Sequence, residues 1–158
     1  MNFFSDLARN QQHLLELIYE NELEKLMDLV PTLPTLNFID SESFRTPLGL
    51  AVATSEEEVI EYLLLSEADP NFASRHTLPL IIAIERSIEA DKYWLDSGDP
   101  SREEDPLFIV ELLLQYGADF NKKDPEGRTA YEYAVKVRHP SWRLFERLTR
   151  EAAERVQE

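Results

Sequence analysis

The feature that most constrains the fold is an internal repeat. Residues 59–71 read Val-Ile-Glu-Tyr-Leu-Leu-Leu-Ser-Glu-Ala-Asp-Pro-Asn, and residues 109–121 read Ile-Val-Glu-Leu-Leu-Leu-Gln-Tyr-Gly-Ala-Asp-Phe-Asn. Each segment has an apolar pair, a glutamate, a leucine run and a closing Ala-Asp-x-Asn. A weaker copy spans residues 25–37. Such self-similarity predicts a repeat architecture, in which each unit buries its apolar face against its neighbours.

A second motif precedes each copy. It reads Thr-Pro-Leu-Gly-Leu-Ala at 46–51, Leu-Pro-Leu-Ile-Ile-Ala at 78–83 and Thr-Ala-Tyr-Glu-Tyr-Ala at 129–134, and its register in the first unit falls on 12–17. Each unit is therefore predicted to be a helix, a tight turn, a second helix and a loop. The alanines at 51, 83 and 134 keep the first helices thin, so that neighbouring units can stack closely.

The residues at the predicted helix ends agree with this interpretation. Thr46 can cap a helix by accepting a hydrogen bond from a free backbone N–H, and Pro47 suits the first helical position. Gly117 lies where the second helix should end in a left-handed residue. Asp119 and Asn121 can hydrogen-bond their own backbone in the turn that follows.

These motifs resemble the Thr-Pro-Leu-His-x-Ala and Gly-Ala-Asp-x-Asn of the ankyrin-repeat family. Asn37 and Asn71 are 34 residues apart, which fits that family's period of about 33 residues. The resemblance implies an all-α solenoid of stacked helix-turn-helix units with short turn and hairpin loops. It predicts a single domain over residues 1–158, with repeats at about 11–40, 41–73, 74–123 and 124–155. The last repeat should be a C-terminal cap, closed by a helix at 141–155.

The sequence departs from the family's pattern at several turn positions. Gly49 replaces the usual motif histidine, and Glu67 replaces the glycine at the end of a second helix. A left-handed glutamate there should cost roughly 1 kcal/mol. Phe44 and His76 lie where a turn glycine is common, and only Gly127 keeps it. We therefore expect distorted turns at Phe44 and His76.

The third unit carries an insertion of about 18 residues, near 87–105. The segment between its first-helix alanine and its second helix is 26 residues long, against 8 in the second unit. Ile84, Ile88 and Leu95 keep helical spacing, so the first helix should continue to about Asp96 and end at Ser97-Gly98. A loop over 99–105 should then lead back to the second helix.

The insertion is both acidic and aromatic. Residues 85–105 hold 8 acidic and 3 basic residues, and they include Tyr93 and Trp94. Exposed aromatic side chains ringed by charge are typical of a binding hot spot. The alternative is that both side chains fold back onto the first helices of adjacent units. Long insertions in compact domains are usually functional or flexible, which keeps the binding interpretation open.

Charge is unevenly placed along the 158 residues, whose formal net charge is −15. Residues 1–105 hold 22 acidic and 7 basic residues, whereas residues 106–158 hold 9 of each. Such a field repels nucleic-acid phosphates and speeds encounter with basic proteins. The charge can also serve solubility alone.

Sequence features of catalytic, cofactor and metal sites are missing. There is no cysteine, and the three histidines lack helical metal-ligand spacing, so each is predicted to be a turn or surface residue. No Gly-x-Ser-x-Gly elbow or phosphate-cradling loop occurs. The acidic runs 56–58 and 103–105 fit helix N-termini. We expect no enzyme and no cofactor. With no signal peptide or membrane span, we expect the cytoplasm.

The resemblance also implies where a partner protein would bind, because ankyrin stacks use the concave side formed by first helices and turn tips. First-helix candidates for partner binding are Tyr19, Glu20, Glu85, Arg86 and Lys136, with Ala53, Thr54 and Val137 beside them. Turn-tip candidates are Glu42, Arg45, Arg75 and Arg128, with Ser74 and Glu126. Insertion candidates are Glu89, Tyr93, Trp94 and Asp96.

The leading hypothesis is a protein-interaction module that uses the concave side and the insertion. A sharper form is an inhibitor or immunity protein that masks a basic partner, such as a nuclease toxin, and is a monomer when free. The alternative is a structural or assembly subunit that binds copies of itself or tethers a complex. Neither nucleic acid nor a membrane is an expected partner.

Overall fold

The computed structural model describes residues 3–97 and 107–157, with side chains for 3–89 and 107–157. No β-strand forms within these two ranges. Their α-helices are α1 (Phe3–Tyr19), α2 (Leu23–Leu29), α3 (Pro47–Thr54), α4 (Glu57–Leu65), α5 (Pro79–Ser97), α6 (Phe108–Gln115), α7 (Ala130–Val137) and α8 (Ser141–Val156). A single 3₁₀ turn, Val30–Thr32, extends α2.

The helices form four pairs, α1 with α2, α3 with α4, α5 with α6 and α7 with α8, and the pairs stack in chain order. Helices α1, α3, α5 and α7 are the first helices of the pairs; each packs against the next first helix and against its own second helix. The core is one continuous apolar cluster that runs through all four pairs. The all-α solenoid of stacked helix-turn-helix units that the ankyrin-like motifs predicted is therefore confirmed.

Small residues let the first helices approach closely. Ala51 and Ala134 are fully buried, and Ala83 is nearly so, as the thin-helix prediction requires. Gly49 explains why α3 lacks the motif histidine. A Cβ atom there would lie 2.8 Å from the Thr46 hydroxyl and 3.2 Å from Cδ1 of Ile82 on α5. Any larger side chain would require the capping Thr46 hydroxyl and the end of the Ile82 side chain to move.

The first helices begin as the sequence predicts. The Thr46 hydroxyl accepts a 3.0 Å hydrogen bond from the Gly49 backbone N–H, with Pro47 in the first helical turn. On α7, Thr129 and Glu132 form a reciprocal capping box with distances of 3.1 and 3.3 Å. Both caps satisfy N–H groups that a helix start otherwise leaves free.

Two second helices end in the same left-handed turn. Gly117 has φ = 94° and Glu67 has φ = 70°, so glutamate does adopt the conformation predicted for this position. In both turns the next residue's N–H bonds back to the helix at 2.9 Å, Ala68 to Leu63 and Ala118 to Leu113. This is the hydrogen-bond pattern of a Schellman motif.

The turns between repeats differ in how they close. Phe44 adopts φ = 58°, the conformation that Gly127 adopts with φ = 80° in the last turn. His76 does not, because its turn is shorter: the Ser74 N–H bonds to the Thr77 carbonyl at 2.9 Å. The distortion expected at these two positions is thus backbone strain at Phe44 and a shortened turn at His76.

Asparagine side chains tie successive repeats together after the second helices. The Asn37 Oδ1 accepts a hydrogen bond from the Asp69 N–H at 2.8 Å, and the Asn71 Oδ1 accepts from the Asp119 N–H at 2.7 Å. The Asp119 carboxylate accepts from the Asn121 N–H at 2.8 Å, as the sequence predicts. Each of these bonds joins a side chain to a backbone group.

The turns inside the helix pairs carry matching ties. The Ser55 hydroxyl donates to the Ile18 carbonyl at 2.8 Å, and the Asn21 Oδ1 accepts from the Glu56 N–H at 3.1 Å. Arg86 on α5 reaches back to the end of α3, which is described with the site below. The first three repeats are therefore tied to one another at both ends of their helices.

The ends of the chain and the insertion show further detail. Helix α5 ends at Ser97, in agreement with the predicted continuation to about Asp96. The predicted loop 99–105 lies outside the described residues. Helix α1 begins at Phe3, well before the start at residue 11 expected for the first repeat. Helix α8 packs against α7, and its buried Phe145 ring stacks on Phe120 with ring centroids 4.7 Å apart.

His139 lies in the turn between α7 and α8, one of the two placements that the sequence predicts for it. It is nevertheless only 3% exposed. Its Nδ1 lies 2.7 Å from the Ser141 hydroxyl and accepts from the Ser141 N–H, and its Nε2 contacts the Ser87 hydroxyl of α5. The burial was not predicted, because Ser87, which gives the imidazole a buried partner, is distant in sequence.

None of the helices in residues 3–97 and 107–157 combines the length and hydropathy needed to cross a bilayer. Within the same described ranges, no cluster of three or more potential ligands forms a metal site.

Candidate functional site: the concave face

The partner-binding surface that the sequence predicts consists of the exposed sides of the first helices and the tips of the turns between repeats. We call this surface the concave face. It consists of the outward sides of α1, α3, α5 and α7 with the turn tips at 40–45, 74–77 and 124–128. The candidate partner-binding residues on this face fall into two groups with different electrostatics.

The first group surrounds an open groove of about 530 Å³ between α1, α3 and the first turn tip. We call it the Tyr19 groove, because the Tyr19 side chain is 69% exposed at its edge. The lining residues are Gln12, Leu15, Glu16, Tyr19, Glu20, Asp40, Glu42, Ser43, Arg45 and Leu50. Four of the predicted partner-binding residues, Tyr19, Glu20, Glu42 and Arg45, meet here.

The Tyr19 groove is acidic, with four carboxylates and one guanidinium in its lining. Glu16 has a histidine neighbour, with His13 Nδ1 3.6 Å from its carboxylate. Among the described residues, no cation pairs with Glu20 or Glu42. Carboxylates left without counter-charges make the groove a local source of negative potential.

Asp40, one of the lining residues, stabilises the first turn tip. Its Oδ2 accepts a 2.7 Å hydrogen bond from the Ser43 N–H. That backbone hydrogen bond holds the pKa of the Asp40 carboxyl below its usual value. Sequence reasoning missed Asp40, although an aspartate that opens a turn is a recognisable pattern.

The second turn tip carries an internal cation–π contact. The Arg75 guanidinium lies over the Phe44 ring, 4.6 Å from its centroid. Both side chains are exposed. The predicted binding residue Arg75 therefore already has an aromatic partner within the chain, and the pair links the first two turn tips.

The second group lies toward the C-terminus, and we call it the Arg128 cluster. Asp124, whose side chain is fully buried, pairs with Arg128 through Nε and Nη2, both at 2.9 Å. Glu126 adds a 3.4 Å contact to the same guanidinium. The Arg128 guanidinium also lies 5.8 Å from the centre of the Tyr133 ring on α7. Here the chain supplies its own cation to the acidic side chains.

Glu85 of α5 belongs to the same cluster. Burial raises the pKa of its carboxyl, while the nearby Arg128 charge and a hydrogen bond from the Tyr133 hydroxyl oppose that rise. Glu89, one turn further along α5, is exposed and adds to the rise. Glu85 is thus partly desolvated and partly neutralised before any partner arrives.

Two other predicted residues, Arg86 and Lys136, belong to neither group. Arg86 Nη1 donates to the Val52 and Ser55 carbonyls at 3.0 and 2.7 Å, so its guanidinium caps the end of α3. Lys136 is exposed in the last turn of α7. The side chains of Tyr93, Trp94 and Asp96 lie outside the described residues.

The fold and this face define a helical repeat protein with a preformed acidic groove. Comparison with known proteins agrees with the repeat fold. A chicken (Gallus gallus) protein, nuclear factor NF-kappa-B p105 subunit, is 27% identical over 154 residues, 83% of this chain and 16% of its own length. Ankyrin repeat and SOCS box protein 6 of mouse and of human are each 33% identical over 100 residues, 63% of this chain and 20% of theirs.

No protein-family model matches the chain. The chain spans a fifth or less of the length of these relatives. The likeness therefore supports the repeat fold and a general role in protein interaction.

Proposed function

We propose that the chain belongs to the ankyrin-repeat family and works by binding another protein through its concave face, without catalysis. The repeat motifs, the stacked helix pairs and the ankyrin-repeat relatives support this assignment. The observation that carries it is the Tyr19 groove, where predicted binding residues from two repeats line one open surface.

The finer proposal is an inhibitor or immunity role, in which the chain masks a basic partner such as a nuclease toxin. The net charge of −15 and the unpaired carboxylates of the groove favour such a partner. Opposite charge steers encounter and raises association rates at low ionic strength. In this role the free chain is a cytoplasmic monomer.

The acidic and aromatic insertion is proposed as a second contact region. Helix α5 projects its backbone as far as Ser97, beyond the ends of the other first helices in register. Tyr93, Trp94 and Asp96 lie on that projecting part. A partner held on the concave face would meet this helix next to the Arg128 cluster.

A capture experiment with four chains tests the proposal. The chain as it exists is compared with Glu20→Gln/Glu42→Gln in the groove, with Tyr93→Ala/Trp94→Ala on the insertion, and with Glu57→Gln/Glu58→Gln on the exposed start of α4 as a charge-matched control. We expect a basic partner that is weakened by salt and by the groove pair but retained by the control pair. A partner insensitive to both salt and the groove pair would contradict the electrostatic inhibitor role.

Self-association is the second candidate function, and one observation favours it. Phe3 and Phe4 at the start of α1 are 72% and 79% exposed. Neighbouring exposed aromatic side chains at the end of a stack can bury each other between two copies. Light scattering at increasing concentration tests this: a dimer that is lost in Phe3→Ser/Phe4→Ser supports self-association, and a strict monomer removes it.

A further inference from the structure

We propose that the Tyr19 groove is a subsite for one arginine or lysine side chain, presented by a basic segment of the partner. The inference rests on the proposed function and specifies its chemistry. It assigns a ligand group to one place on the concave face, the groove between α1, α3 and the first turn tip.

The groove is built in two layers that match a long cationic side chain. Its floor contains Leu15 and Leu50, which are 6% and 7% exposed. The methylene stem of an arginine or lysine can cover such apolar surface while its charged head stays near water. The Tyr19 ring at the edge offers an exposed face for a cation–π contact.

The charged head has carboxylates within the same lining. Glu16, Glu20 and Glu42 are all exposed and surround the opening. Asp40 is occupied by the Ser43 N–H, so it contributes charge rather than a free ligand. A planar guanidinium can donate hydrogen bonds to two such carboxylates at once, which makes arginine the better fit of the two.

The molecule contains a related arrangement that is filled. In the Arg128 cluster a guanidinium lies beside Asp124 and Glu126 and near the Tyr133 ring of a first helix. The Tyr19 groove also combines turn-tip carboxylates with a first-helix tyrosine. Its tyrosine comes from α1, one repeat before the turn tip, and Leu50 holds the position on α3 that Tyr133 holds on α7.

The position of Arg45 explains why, within the described part of the chain, no lysine or arginine pairs with the carboxylates of the Tyr19 groove. It precedes the capping Thr46 as Arg128 precedes Thr129. The first turn closes from Asp40 to Arg45, one residue longer than the turn from Asp124 to Arg128. Among the described residues Arg45 forms no ion pair, so the carboxylates remain available to an arginine from outside.

The direct test uses a synthetic peptide of four Gly-Arg repeats and the same peptide with citrulline, which keeps the shape but lacks the charge. Binding is followed by NMR titration of the full chain. We expect the arginine peptide to shift the Leu15, Tyr19 and Leu50 signals, and the citrulline peptide to leave them in place. Equal binding of both peptides, or shifts spread evenly over the acidic surface, would overturn the subsite.

Variants separate the subsite from general attraction by a negative chain. Glu20→Gln/Glu42→Gln should weaken arginine-peptide binding about tenfold, because charge-assisted contacts are lost. Tyr19→Leu should weaken it about threefold through loss of the cation–π contact. Glu57→Gln/Glu58→Gln removes the same charge from α4 and should stay within twofold of the parent. Equal weakening in the control pair would contradict the proposal.

Two further arms identify the source of the cation and separate this inference from the proposed function. In the first arm, spermidine competes with the arginine peptide for the Tyr19 groove. If spermidine binds there as tightly as the peptide, the site is one for a free polyamine, and the proposal of a ligand carried by a protein is overturned. If the groove pair leaves capture of the native partner unchanged, the subsite fails and the inhibitor role stands. If the peptide binds the groove but no basic protein is captured, the inhibitor role fails and the subsite stands.

Discussion

The two groups of the concave face are built from the same residue types and reach opposite electrostatic states. In the Arg128 cluster, a buried aspartate and a five-residue turn hold a guanidinium against carboxylates and a tyrosine ring. In the Tyr19 groove, a turn one residue longer leaves Arg45 without an ion pair among the described residues. The comparison links neutralisation of the acidic side chains to the shorter turn and the buried aspartate of the Arg128 cluster, and not to composition alone.

The largest expected effect comes from removing the two aspartates that organise these turns. Asp124→Ala should lower the free energy of unfolding by about 3 kcal/mol, because it removes the fully buried partner of a half-buried arginine and frees two backbone N–H groups. Asp40→Ala should cost only about 1 kcal/mol, since its carboxylate serves one hydrogen bond at a half-buried position. Denaturant unfolding measures both; equal losses would remove the distinction between the two turns.

Replacing Arg128 should leave the carboxylates of the Arg128 cluster without their cation, so that the cluster resembles the Tyr19 groove. Arg128→Gln should cost about 2 kcal/mol, because Asp124 loses charge-assisted bonds but keeps those from the backbone. The pKa of Glu85 should rise further, since the Arg128 charge lowers it in the parent. NMR titration of Glu85 checks this direction. Arg45→Gln is the matched control and should change stability little; an equal loss there would contradict the role given to turn length.

The N-terminal and C-terminal halves also differ where their second helices end. Glu67→Gly should stabilise the chain by about 1 kcal/mol, because glycine adopts φ = 70° without steric cost. Gly117→Ala should cost a similar amount, about 1 kcal/mol, through strain at φ = 94°, even though open space surrounds its Cβ position. Thermal unfolding of both variants tests the pair, and shifts of the same sign would be inconsistent with a shared left-handed turn.

The smallest expected effect concerns Glu85 and depends on pH. Folding raises the pKa of the Glu85 carboxyl. The stability that Glu85 contributes is therefore fully present below the pKa of the unfolded chain and is lost as the pH rises through the pKa of the folded chain. Glu85→Gln should therefore stabilise the chain at neutral pH by about 0.5 kcal/mol or less, after screening by solvent. The difference should vanish below about pH 4. Unfolding curves at pH 3.5 and 7 test this; a destabilised variant at pH 7 would show that the carboxylate is favourably paired.

The sequence predicted the features that local chemistry determines. The Thr46 cap, the left-handed Gly117 and the Asp119 turn each depend on residues within a few positions of one another. The stacking of Ala51 and Ala83 followed from the repeat itself. These predictions did not depend on knowing which residues of neighbouring repeats are in contact.

Contacts between repeats were beyond the sequence pattern. Arg86 was predicted to bind a partner, and the structure places its guanidinium on the Val52 and Ser55 carbonyls, 34 and 31 positions away in the chain. The burial of His139 in its turn was not predicted, because its partner Ser87 is 52 residues distant. The lengths of the turns that end at Arg45 and Arg128 are likewise defined by backbone hydrogen bonds, which the sequence pattern does not reveal. Whether the predicted partner-binding residues contact a partner stays a prediction.

The ties between repeats have a consequence for how such a chain can change over evolutionary time. Asn37, Asn71, Ser55 and Arg86 each reach across to a backbone N–H or carbonyl of the adjacent repeat. Except at proline, every amino acid supplies both backbone groups, so the receiving position can mutate without loosening the join. Only one residue of each tie has to be retained. The side chains around the groove are therefore free to diversify toward a new target while the scaffold that presents them persists.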